Sequence, residues 1–128
     1  MGGRVVHFEL PFDDGERAQA FYATAFGWAV TAMPEMDYLL VMTGPTPEQG
    51  PPTEPGFING GMMPRRDSLS GSPVVVVDVE DIDATLATVE SLGGSTVQGK
   101  AAVADMGFTA YVKDTEGNVV GLWQNALG

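Results

Sequence analysis

Apolar and polar side chains alternate from Arg4 to Leu10. Val5, His7 and Glu9 fall on one side of a strand, and Val6, Phe8 and Leu10 on the other. Pro11 and the pair Asp13-Asp14 are expected to end that strand. The period then changes. Ala18, Phe21, Tyr22, Ala25 and Phe26 recur at steps of three and four, which predicts an amphipathic helix. Asp13-Asp14 supplies its N-cap, Glu16 its acidic first turn, and Gly27 its stop. Strands follow at Trp28–Met33 and Tyr38–Met42, with a turn over Pro34–Asp37 between them. Five prolines between Thr43 and Gly56 lack the amide hydrogen a sheet interior requires, so that stretch is expected to be an exposed loop. Phe57–Met63 returns to strand, with the glycine pair Gly60-Gly61 allowing something to approach the backbone closely.

After a polar linker at Pro64–Ser72 the order repeats. Val74–Val79 is a strand apolar on both faces. Ile82, Leu86, Val89 and Leu92 have helical spacing, and Gly93-Gly94 ends that helix. Strands are expected at Ser95–Gln98, Phe108–Lys113 and Val119–Gln124, the last two joined by the turn Asp114-Thr115-Glu116-Gly117-Asn118. His7 to Gly27 matches Val74 to Gly94 at a constant offset of 67 residues. Each half reads strand, helix, three strands, and neither can cover both faces of its own sheet. A duplicated βαβββ unit is the simplest account.

Composition narrows the function. The chain has 128 residues, the size of one domain. Its formal charge of −11 repels phosphate backbones and anionic membranes, so no nucleic-acid or membrane partner is expected. Arg65-Arg66, a pair in a loop, is the nearest thing to a basic patch. No cysteine is present, which excludes disulfides, thiolate metal sites and a cysteine nucleophile. No apolar run approaches the roughly 18 residues that span a bilayer. The N-terminus runs directly into a strand without a charged-then-apolar leader, so a cytoplasmic protein is expected. There is no G-x-S-x-G elbow and no G-x-G-x-x-G phosphate loop.

The chain resembles the vicinal oxygen chelate superfamily, which contains glyoxalase I, bleomycin-resistance proteins and extradiol dioxygenases. The resemblance rests on His7-Phe8-Glu9-Leu10, Phe21-Tyr22 with Phe26-Gly27-Trp28, Leu92-Gly93-Gly94, and the closing Asp114-Thr115-Glu116-Gly117-Asn118-Val119-Val120-Gly121-Leu122. It implies an α+β fold: two tandem βαβββ modules, about 1–63 and 73–128 around the linker 64–72, forming curved mixed sheets about a central cleft within a single domain. It also implies a homodimer.

The metal-binding members of that superfamily use four ligand positions. Carried over, the first falls on His7 and its repeat on Val74; the other two fall on Gly121 and near Gly60, between Asn59 and Gly61. Only His7 offers an imidazole or carboxylate, and a divalent ion needs three or more nitrogen or oxygen donors. No cofactor is therefore expected, with a divalent metal kept as the alternative. Candidate ligand-binding residues are His7, Glu9, Tyr38, Asn59, Met62, Tyr111 and Trp123; Trp123 shares alternation with Gly121 and is suited to stack on a flat ligand. Two functional readings stand. In one the chain is a metal-independent module that binds a small molecule. In the other it is a lyase, isomerase or dioxygenase, using His7 with a divalent metal or His7 and Glu9 as an acid–base pair.

Overall fold

The computed structural model describes residues 2–33, 37–48 and 50–126. Pro34, Glu35 and Met36 of the expected turn, and Gln49 of the proline-rich segment, lie outside the described residues. The chain forms two compact units: His7–Pro73, and Met1–Val6 with Val74–Gly128. The boundary falls inside the first strand, and the linker belongs to the first unit.

The first unit carries β1 (Val5–Phe12, from His7 onward), α1 (Gly15–Phe26), β2 (Ala29–Met33), β3 (Tyr38–Met42) and β4 (Gly60–Pro64). Its strand order is β2-β3-β4-β1, with β4 antiparallel to β3 and parallel to β1. The second unit carries β5 (Val74–Asp78), α2 (Ile82–Ser91), β6 (Ser95–Val103), β7 (Gly107–Lys113) and β8 (Val119–Asn125). Its order β6-β7-β8-β5 repeats the first, with β8 antiparallel to β7 and parallel to β5. The fold is α+β: two tandem βαβββ modules with mixed sheets.

Local chemistry sets the helix ends in both units. Asp14 caps α1 by accepting from the Arg17 amide at 3.0 Å, and Asp81, 67 residues later, caps α2 by accepting from the Ala84 amide at 3.2 Å. Gly27 ends α1 in the left-handed region at φ 72°. In α2 the left-handed residue is Gly93, at φ 98°.

Each helix covers one face of its own sheet. Leu39, Val41 and Met62 are buried with Phe8, Leu10, Phe12, Ala18, Tyr22, Trp28 and Val30 around them. In the second unit Ile82, Ala110, Val112 and Leu122 are buried with Val77, Val79, Leu86, Val89, Phe108 and Val120. Full burial of a Val, Leu, Ile or Met side chain such as Val41, Ile82 or Met62 contributes about 1.5–3 kcal/mol.

Three strands depart from expectation by two residues or more. β1 runs through Pro11 to Phe12, paired with Met63 and Pro64; proline is tolerated near a strand end, where a missing amide leaves little of the ladder unmade. β4 starts at Gly60, because Asn59 is drawn into the loop before it: its side-chain oxygen accepts from the Thr43 amide and its NH2 donates to Thr46 Oγ1. β6 continues to Val103 by absorbing two register shifts, between Thr96 and Gln98 and between Gln98 and Ala101.

Candidate functional site

Alternation on the first unit's strands leaves one face uncovered by the unit's helix. The register pairs Glu9 with Gly61, Gly61 with Leu40, and Pro11 with Met63. Cross-strand partners point the same way, so His7, Glu9 and Pro11 of β1 share this face with Tyr38, Leu40 and Met42 of β3 and with Gly61 and Met63 of β4. The opposite face carries Phe8, Leu10, Leu39, Val41 and Met62 into the core.

At the centre of the open face His7 Nε2 and Tyr38 Oη are 3.1 Å apart, a hydrogen bond between residues 31 positions apart in sequence. Burial lowers the His7 pKa below its ordinary value, so at neutral pH the imidazole is uncharged. Burial, and then the charge of the Glu9 carboxylate, push the Tyr38 phenol well above its usual range. Two neutral groups that can donate and accept thus stand beside one carboxylate.

Gly61 makes this arrangement possible. A Cβ there would fall within the Tyr38 phenol ring, so the ring occupies the space a side chain at 61 would need. The Gly60-Gly61 pair signals a close approach in the sequence, but nothing nearby names the Tyr38 ring as what approaches.

The other sequence candidates are placed as follows. Met62 is corrected: it is 1% exposed and sits in the helix-covered core, while its neighbour Met63 shares the face of His7. One residue of register moves a side chain to the other face. Asn59 spends its amide on Thr43 and Thr46, which closes the proline-rich loop. Tyr111 and Trp123 lie on the uncovered face of the second unit's sheet, where Tyr111 pairs with Gly121 and Trp123 with Thr109. Trp123 Nε1 donates to Asn125 Oδ1 at 2.8 Å, and its ring lies against Gly107.

The four positions implied for a metal centre now have a register. Gly61 lies across from Glu9 as Gly121 lies across from Val76, so Gly61 is the position expected near Gly60. Val74, Gly61 and Gly121 carry no side-chain donor, and among the described residues no three His, Asp or Glu side chains stand together as metal ligands. This donor set does not fit a divalent ion. Three of the cations are engaged by carboxylates: Arg65 pairs with Asp13, Arg66 with Asp37, and Lys100 with Asp83.

Residues 4–44, about a third of the chain, match a family model described as bleomycin resistance protein-like N-terminal. No curated protein sequence matches the chain. Among solved structures, a hypothetical protein from Bacillus halodurans C-125 is 11% identical with a TM-score of 0.64, covering 98% of this chain and 96% of that one. A variant methylmalonyl-CoA epimerase of Streptomyces coelicolor, in complex with 2-nitronate-propionyl-CoA, is 17% identical over 98% of this chain and 96% of its own, with a TM-score of 0.63. A glyoxalase/bleomycin resistance protein/dioxygenase superfamily member from Vibrio splendidus 12B01 is 17% identical over 96% and 98%, also at 0.63. The fold is that of the vicinal oxygen chelate superfamily, and the resemblance read from the sequence holds. Within that fold, the N-terminal match is to the bleomycin-resistance-like group.

Proposed function

We propose that this chain is a metal-independent small-molecule binding protein of the glyoxalase/bleomycin-resistance-like kind, with its ligand held on the open face around His7, Glu9 and Tyr38. The observation that carries the reading is the neutral His7–Tyr38 pair beside Glu9 on a sheet face the helix leaves uncovered. The lack of donors at Val74, Gly61 and Gly121 supports independence from metal. The acidic balance and the commitment of Arg65, Arg66 and Lys100 to aspartates favour a neutral or cationic ligand over a phosphorylated one. Trp123 and Tyr111 are proposed as further ligand contacts from the second unit's uncovered face.

Elemental analysis of natively purified protein tests the metal half of the proposal, together with thermal unfolding with and without added divalent ions. Substoichiometric metal and an unmoved midpoint are expected. Near-stoichiometric metal with a raised midpoint would reverse the assignment.

A second reading draws on the same geometry: His7 and Glu9 can exchange protons with a bound substrate, which makes a lyase or isomerase. Full turnover by a His7→Ala variant on any substrate found would remove it. The resemblance also supports a homodimer, which sedimentation at micromolar concentration checks, and the cysteine-free composition fits a cytoplasmic setting. Among the described residues no helix is long and apolar enough to cross a membrane.

A further inference from the structure

The two nitrogens of His7 are not in equivalent surroundings. Nε2 is 3.1 Å from Tyr38 Oη, whereas Nδ1 makes no hydrogen bond among the described residues. Nor is Nδ1 sealed away, since among the described residues no buried side-chain nitrogen or oxygen lacks a partner. A half-buried imidazole with one occupied nitrogen and one open nitrogen is a directional contact, and its character depends on which nitrogen holds the proton.

Tyr38 decides that. Its hydroxyl has one hydrogen and, among the described residues, no hydrogen-bond partner other than His7. If Nε2–H donated to the phenol oxygen, the phenol hydrogen would have no acceptor among the described residues, an expensive loss at a half-buried site. Phenol is also the stronger acid of the two neutral groups, and the bare imidazole nitrogen the stronger base. Both considerations send the Tyr38 hydrogen to Nε2.

Resting on the reading that this face binds the ligand, we propose that Tyr38 is a positioning residue: it locks His7 as the Nδ1–H tautomer, so the ligand is held there through a hydrogen-bond acceptor. The negative charge of the neighbouring Glu9 carboxylate disfavours an anionic acceptor. The chemical class is therefore a neutral carbonyl or amide oxygen. Gly61 belongs to the same device, because the space it leaves lets the Tyr38 ring reach His7.

His7 is the only histidine in the chain, so its ring gives unique nitrogen resonances. Long-range proton–nitrogen correlation on 15N-labelled protein, recorded above the His7 titration, reads the tautomer directly. The expected pattern is a protonated, pyrrole-type Nδ1 and an unprotonated, pyridine-type Nε2. The reversed pattern, or two averaged shifts, would overturn the proposal. In Tyr38→Phe the two shifts should move toward the average of the tautomers; an unchanged pattern in a folded variant would show that Tyr38 is not the determinant. If that variant does not fold, the wild-type pattern decides alone. The ligand half is tested with N-methylacetamide as a neutral acceptor and methylammonium as a probe without one. A shift at Nδ1 with the amide alone is expected, and a shift with methylammonium alone would overturn the acceptor assignment. If a wider fragment screen never moves the ring, the binding reading falls while the tautomer assignment stands.

Discussion

Gly61 lies beneath the phenol ring of Tyr38, in the space that any other residue at 61 would fill with its Cβ. Tyr38 in turn reaches across to His7, so one missing methyl group sets the geometry of the open face. Gly61→Ala should displace the ring and break the His7–Tyr38 bond. Overpacking of this kind costs about 1–3 kcal/mol. Urea unfolding gives that cost, and the His7 ring shifts report the broken bond; a variant as stable as wild type with unmoved shifts would refute the dependence.

Gly121 holds the equivalent place in the second unit but is less confined. A Cβ there would lie 2.9 Å from Val76 Cγ2 and 3.3 Å from Tyr111 Cε1, edges of side chains that can yield by a few tenths of an ångström. Replacing a strand glycine also lowers the entropy of the unfolded chain. The net effect of Gly121→Ala should therefore stay within about 1 kcal/mol. Equal losses in the two alanine variants would mean that the repeat, not the Tyr38 ring, sets the cost at residue 61.

Met62 provides a check on which face is which. It is fully buried against the helix-covered core, where truncation to alanine typically costs about 2–5 kcal/mol. Met63, on the open face and half-buried, should lose clearly less in the same substitution. Chemical denaturation of the two variants side by side settles it; a larger loss at Met63 would put the register of β4 one residue out.

What could be read from the sequence was mostly local. Asp14 and Asp81 as N-caps, Gly27 as the stop of α1, and the turn at Asp114–Asn118 follow from residue chemistry within a few positions. The 67-residue repeat carried the architecture because both halves obey the same period changes. What escaped was set by partners far away in sequence. Nothing near Met62 says which neighbour turns inward; that depends on Leu39 and Leu10 across the sheet. The extension of β6 past Gly99 depends on how β7 tolerates two register shifts. Nor does the sequence around Tyr38 say which face it takes, and its bond to His7 spans 31 residues that no periodicity links.

The protonation of His7 should be visible in the stability of the whole chain. Burial lowers its folded pKa beneath the unfolded value of about 6.5. As pH falls below about 6.5 the unfolded chain takes up a proton that the folded imidazole refuses, so stability falls. The loss ends once pH passes the folded pKa, where both states are charged. Carboxylates titrate below this range and blur the raw profile, so wild type is best compared with His7→Gln, which keeps a side-chain hydrogen-bonding group near Tyr38. Unfolding free energies for the two proteins should diverge as pH drops from about 7 toward 5, with wild type losing more. Tyr38 acts at the other end. Its raised phenol pKa preserves stability below about 10, and that stability is lost as pH climbs further, because the unfolded chain releases a proton the folded one retains. Parallel profiles for wild type and His7→Gln between pH 7 and 5 would mean that His7 titrates as freely as in the unfolded chain. The lowering of its pKa by burial, which keeps the imidazole neutral as pH falls below 6.5, would then be refuted.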